Sequence, residues 1–171
     1  MRLGRLIGTV AAVGALLLSG GVAQARSATT DPQVGRLTPV AVVHPHHPDT
    51  ATVLGQYKCS APADTMHLWV SVKQGGPDPT AEGSSSTVSA WYDTNISQDV
   101  KVTCNGRWQI AVVDLGQHPT DFTGRPLAAL KNGKAWLQFC LVAPGPDPSD
   151  PESGIVASQS RWVTVVGAHR P

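Results

Sequence analysis

Charge is scarce in this chain and nowhere concentrated. Charged residues are 15% of the 171 positions, and no segment gathers the lysines and arginines that a phosphate backbone requires. Nucleic acid is therefore not an expected partner. Helical periodicity is missing as well. Outside the first 25 residues no apolar pattern of 3.6-residue period reaches helix length, and residues 126–131 offer one or two turns at most. Enzyme signatures are absent: there is no Gly-x-Ser-x-Gly, no His-Glu-x-x-His and no Gly-rich phosphate loop. The one long apolar run, residues 6–18, has 13 residues, short of the ~20 a membrane-crossing helix needs. Aromatic side chains are only 5% of the chain, yet five of them are tryptophan. Those few indoles carry most of the aromatic surface.

What is present at the start reads as an export signal. Arg2 and Arg5 precede the apolar run, and Ala23-Gln24-Ala25 gives a small-x-small exit. Residues 1–25 are expected to be removed, with no lipid-modified cysteine following them. The mature chain, residues 26–171, is one domain's worth. Without Arg2 and Arg5, 11 basic residues face 12 acidic ones. The expected location is secreted, and the protein is not expected to span a membrane.

Residues 26–50 are rich in Thr, Pro and His and read as a flexible N-terminal segment. The apolar Val40 to Val43 could supply an edge strand, where proline is tolerated. From residue 51 onward, short β-type runs alternate with turn signals. The runs cover residues 51–59, 66–73, 87–92, 100–104, 108–115, 135–142 and 158–166. In the first, Val53, Gly55, Tyr57 and Cys59 share one parity, opposite Thr52, Gln56 and Lys58, with Leu54 as the exception. Successive strand side chains point to opposite faces, so such alternation marks a half-buried strand. Asn105-Gly106 is the best hairpin-turn dipeptide, since both residues tolerate positive φ. Gly76-Pro-Asp-Pro79 and Gly145-Pro-Asp-Pro148 recur at matching distances after Leu68 and Leu137. That echo pairs run 66–73 with 87–92, and run 135–142 with 158–166. The fold class is all-β, an antiparallel immunoglobulin-like β-sandwich of seven to eight strands over residues 51–171.

Gly55-x-Tyr57-x-Cys59 and Cys104-Asn-Gly-x-Trp108 carry a family resemblance. The chain resembles small secreted immunoglobulin-like proteins of high-GC Gram-positive bacteria, for which no activity is assigned. More loosely it resembles the neocarzinostatin-type apoproteins, exported sandwiches that hold a small chromophore in a cleft. That likeness implies a two-sheet fold and transfers no binding residue.

Three cysteines in an exported chain allow one disulfide and one further thiol. Cys59 shares the face of Val53 and Tyr57, and Cys104 that of Val100 and Val102. Cys140 lies opposite Leu137, Phe139 and Leu141. Parity therefore predicts Cys59–Cys104, with Cys59–Cys140 as the alternative, which would mimic the staple of antibody domains. No Cys/His signature marks Cys140 as a nucleophile, although it could join two chains. His44, His46 and His47 supply at most two ligands on one face, beside prolines that favour an exposed linker, so no metal site is assigned. Asp78 and Glu82, and Asp147, Asp150 and Glu152, lack any calcium-loop pattern. Asn95-Ile-Ser97 matches a glycosylation acceptor. No cofactor is implied.

The tryptophans carry the one functional expectation. Trp69 falls with His67, Ser71 and Lys73, against Leu68, Val70 and Val72. Trp91, Trp136 and Trp162 likewise fall on the more polar parity of their runs. Either the four form one outward binding face, or the faces are exchanged and the indoles fill the core. The leading reading is a secreted, non-catalytic immunoglobulin-like module, monomer or dimer, that binds an extracellular protein or small ligand through this face. The alternatives are a protein that sequesters a small molecule or metal, and a small hydrolase with unrecognised carboxylates.

Overall fold

The computed structural model describes residues 32–60, 66–97, 100–143 and 154–168. The expected leader and the second Gly-Pro-Asp-Pro loop lie outside these residues. Among the described residues nine strands are formed: β1 (Gln33–Leu37), β2 (Val40–His44), β3 (His47–Lys58), β4 (His67–Gln74), β5 (Ala90–Asp93), β6 (Val100–Lys101), β7 (Gln109–Gln117), β8 (Gly133–Val142) and β9 (Ile155–Val166). Helical structure among the described residues is short: α1 (Thr94–Ser97) is a single turn, and Ser84–Ser86 forms a 3-10 turn. No helix among the described residues is long and apolar enough to cross a membrane.

The chain is all-β, and the sheet closes on itself. The ring runs β3, β2, β9, β8, β4, β5, β7 and back to β3, with β1 added on β3 and β6 on β4. Two features join what would otherwise be separate sheets. First, β1 and β2 act as one strand broken at Thr38-Pro39. Both are antiparallel to β3, but β2 also lies parallel to β9. Pro39 has no N–H to give a ladder, and its carbonyl accepts from Thr164 N at 2.8 Å. Second, β5 and β7 share two residue pairs, Tyr92 with Gln117 and Asp93 with Gly116.

These pairings correct the expectation for residues 26–50. β1 adds to β3 outside the ring, β2 is paired on both edges within it, and β3 starts at His47. The β domain therefore begins before residue 51, and Val40 to Val43 is an interior strand. Ala41 and Val43 are fully buried, and that burial holds the segment in place. The His-Pro stretch is the β2–β3 hairpin rather than a linker. His44 Nε2 lies 2.7 Å from the Thr52 hydroxyl, which donates to Asp114 Oδ1 at 2.5 Å.

Inside the ring, alternate residues of every long strand meet. Val53 and Tyr57 of β3 join Val70 and Val72 of β4, Leu137 and Phe139 of β8, and Val163 and Val165 of β9. Burying each such side chain contributes about 1.5–3 kcal/mol. The two hairpins expected from the echo are formed, β4 with β5 and β8 with β9. The Asn105-Gly106 hairpin is not. β6 pairs with β4 and β7 pairs with β3, because the chain leaving β6 is tied elsewhere. Cys104 is bonded to Cys59 at the end of β3, a separation of 45 residues. Cys140 stands outside the disulfide and is buried, which withdraws it from intermolecular pairing.

Candidate functional site

Strand alternation places the four predicted tryptophans on the outer surface of the barrel, on four neighbouring strands. Leu68, Val70 and Val72 of β4 point into the core, so Trp69, Ser71 and Lys73 point out. The same division sets Trp91 of β5 against Tyr92, Trp136 of β8 against Leu137, and Trp162 of β9 against Val163. Three of these residues fall in one cross-strand row with Lys73. Trp91 faces Lys73, Lys73 faces Trp136, and Trp136 faces Trp162. Outward does not mean exposed here. Trp162 keeps 40% of its surface, while Trp91 keeps 4% and Lys73 6%.

The covering comes from two loops that sequence parity cannot address. Residues 75–89 and residues 118–132 fold over the outer surface of β5 and β4. Val88, Trp91 and Leu127 form a second, small core beneath them. Arg125 ties the loops together, donating from Nη2 to Val88 O at 2.8 Å and to Ser86 O at 3.2 Å. Asp121 in turn orients Arg125. Its carboxylate accepts from the Thr123 hydroxyl, from Arg125 N and Thr123 N, and from Arg125 Nε. These hydrogen bonds, that of the Thr123 side chain foremost, lower its pKa to about 2.

Between the loops and the barrel lies a cavity of about 320 Å³, bounded by Trp69, Lys73, Trp91, Asn95, His118 and Phe122. Its aromatic wall is ordered by direct contact. The His118 ring stacks on Trp91 with centroids 3.6 Å apart and planes 5° from parallel. Phe122 meets Trp91 edge-on at 5.1 Å and is itself 78% exposed. His118 Nε2 sits 3.0 Å from Oδ1 of Asp93, whose side chain is fully buried. The same oxygen accepts from Asn95 N at 2.9 Å. Imidazole is thus wedged between an indole face and a carboxylate oxygen. On the far side of the tryptophan row, Trp136 and Trp162 pack edge-to-face at 5.2 Å. Lys134 Nζ lies 4.0 Å over the Trp162 ring, a cation–π contact that orients that indole.

The structure brings together Trp69 and Trp91 at the cavity and Trp136 and Trp162 beside it. Sequence reasoning noted Lys73 on the same parity but gave it no role. Asp93, His118 and Phe122 it missed. His118 and Phe122 lie in a loop, where no alternation exists to read, and only the covering of Trp91 shows what they do. A second apolar surface was also missed. Trp108, Ile110 and Val112 are 49%, 70% and 64% exposed, and Val112 and Ile110 lie opposite Leu54 and Gln56 of β3. Its signal was in the parity. Ile110 and Val112 alternate against the buried Val113 and Leu115, just as Leu54 breaks the polar side of β3. Among the described residues no group of three or more His, Cys, Asp or Glu side chains is gathered as a metal ion needs. Asp78 is a turn residue that accepts from the Thr80 hydroxyl and Thr80 N, and Asn95 is exposed at the cavity rim. No protein-family model matches the chain, and no curated protein is similar to it.

Proposed function

We propose that the protein is a secreted, non-catalytic binding module of immunoglobulin-like type that takes a small ligand in the cavity over β4 and β5. The single observation that carries this reading is the cavity itself. It is a preformed space at the lower end of the ~300–1,000 Å³ range of ligand sites, with Trp69, Trp91, His118 and Phe122 in its wall and a few polar groups at fixed positions. A barrel of this size buries its apolar residues inside the ring and has no need of a second small core outside it. Stabilising loops over Trp91 costs loop ordering that the fold does not require. A ligand site gives that ordering a purpose.

The immunoglobulin-like reading is supported by the strand order. On that reading the closed sheet would divide into β1, β3 and β7 on one face and β2, β9, β8, β4 and β5 on the other. The ring then arises because the edges of the two faces touch at the β1–β2 break and at the β5–β7 pairs. Export is supported by the basic-apolar-small order of residues 1–25 and by a disulfide that persists in oxidising compartments.

The test uses the mature chain and the dye anilinonaphthalene sulfonate, whose aromatic rings suit a site walled by Trp69, Trp91 and Phe122. The folded protein should bind one dye at neutral pH, with emission excited through the tryptophans. Asn95→Trp, placed at the exposed rim, should fill the cavity mouth and weaken binding roughly tenfold, a loss of about 1.4 kcal/mol. No binding, or binding indifferent to Asn95→Trp, would remove the cavity as the site.

A further inference from the structure

The ring leaves one long strand half paired. Among the described residues, β8 holds β9 from Ile155 to Val165, but β2 holds it only at Thr164, Val165 and Val166. Thr164 N donates to Pro39 O, so the backbone polar groups of Thr164 point away from β8. Such groups alternate sides along a strand, and those of Trp162, Ser160 and Ser158 therefore point the same way. No described strand pairs with them. Arg161 marks where the ring opens. Its Nη1 donates to Leu37 O at 2.9 Å, and its Nε lies 3.4 Å from Trp162 O. Other edges are blunted. β1 has five residues and a register shift, and β7 lies against α1 beyond its two pairs with β5. Short strands, bulges, prolines and charges are the usual protection of an edge. β9 has twelve residues, no proline and one charge, Arg161, and its register shift lies at its start.

A row of outward backbone donors and acceptors is completed by one kind of partner, another extended strand. The side chains indicate which strand. We infer that β9 pairs antiparallel with β9 of a second copy of this chain, about a twofold axis at Gln159. That register sets Ser158 opposite Ser160 of the second copy. Both have their N–H and C=O on the open edge, so each such pair closes two backbone hydrogen bonds. It also sets Val156 beside Trp162 of the second copy. These are the large apolar side chains exposed on β9 before its contact with β2, at 42% and 40%. An aromatic residue across from a β-branched one is a favourable cross-strand pair. Arg161 falls opposite Ala157, and Gln159 opposite itself, so no like charges meet. A twofold at Ser158 would set Val156 against Ser160, and one at Ser160 would set it against Thr164, which β2 already engages. The interface is isologous and closes at two copies. It does not depend on the cavity reading.

Sedimentation of the mature chain measures it. A reversible monomer–dimer equilibrium is expected between ~1 and ~300 μM, the weak range suited to a contact made by one strand edge. Ser160→Pro removes an N–H on the open edge and no bond to β8, so the fold is kept. Dimerisation should weaken at least roughly tenfold. A second set of variants acts through side chains that point away from the core. Ser158→Lys/Ser160→Lys places lysine opposite lysine and should be monomeric, as should Ser158→Glu/Ser160→Glu. An equimolar mixture of the two should dimerise. Thermal midpoints near that of the wild type verify that each variant is folded. A wild-type chain that stays monomeric throughout the range overturns the inference. So does a dimer that Ser160→Pro and the lysine variant both leave unchanged, which would place the contact on another surface. A lysine–glutamate mixture that remains monomeric overturns it as well.

Discussion

Gly55 shows how tightly single residues are fitted to this barrel. It lies on the inward parity of β3, and a Cβ added there would stand 2.4 Å from the Phe139 ring. Phe139 is fully buried and has nowhere to move. Gly55→Ala should therefore destabilise the protein by about 1–3 kcal/mol through overpacking, read as a lower urea midpoint with an unchanged slope. Gly35→Ala makes a contrasting control. Its Cβ would meet Trp108 at 2.6 Å, but that indole is half exposed and can swing aside, so a smaller loss is expected. The face on which each tryptophan stands was legible in the sequence, because β4, β8 and β9 alternate without interruption through their indoles. Burial was not legible. Parity separates inside from outside the barrel, whereas Trp91 and Lys73 are shielded by loops that carry no period. Leu54, an exception in the sequence, needs no special account once Val112 lies across from it.

At the scale of elements, the least legible feature is the use of β2. A four-residue apolar run between prolines reads as an edge, and only its parallel pairing with β9 makes it a strut of the ring. Starting the chain at residue 45 removes β1 and β2 and bares the edges of both β3 and β9. The truncated protein should lose its cooperative thermal transition, measured by circular dichroism, where a dispensable segment would leave the midpoint in place. The covering loop makes a separate prediction. Asp121 has its pKa lowered to about 2 from an ordinary 3.8, first by the Thr123 hydroxyl and then by backbone and Arg125 donors. A depressed carboxylate contributes stability that is fully present above the unfolded value and is lost as pH falls through the folded one. The 118–132 loop should therefore loosen between about pH 4 and pH 2, with Trp91 fluorescence becoming accessible to iodide. Asp121→Asn should remove that pH dependence and leave the loop loosened already at neutral pH, since an amide nitrogen cannot accept from Arg125. Shielding that persists unchanged in Asp121→Asn would show that the Arg125 tie is dispensable.

The whole molecule is a ring whose closure is thin on one side and cross-linked near the other end. Two residue pairs hold β5 to β7, whereas β3 and β7 pair over eight positions from Thr50 to Tyr57. The disulfide lies just beyond that ladder, from Cys59 after β3 to Cys104 before β7. In the folded state it therefore adds little that the ladder does not already supply. Its effect falls on the unfolded chain, where it encloses β4, β5 and β6 in a single loop. For a separation of 45 residues, loop-closure entropy gives about 4 kcal/mol, less any strain. For a domain of this size that corresponds to a midpoint lower by roughly 10 °C on reduction. Scanning calorimetry of the mature chain with and without reductant measures it directly. The double variant Cys59→Ala/Cys104→Ala should melt near the reduced wild type and ignore reductant, because the one remaining thiol, Cys140, is buried on β8. If reduction left the midpoint where it was, the β3–β7 ladder would have to hold the three-strand loop together even in the denatured ensemble. In that case the double variant would also melt with the oxidised protein, and a thiol count on the denatured, unreduced wild type would separate a missing bond from an inert one.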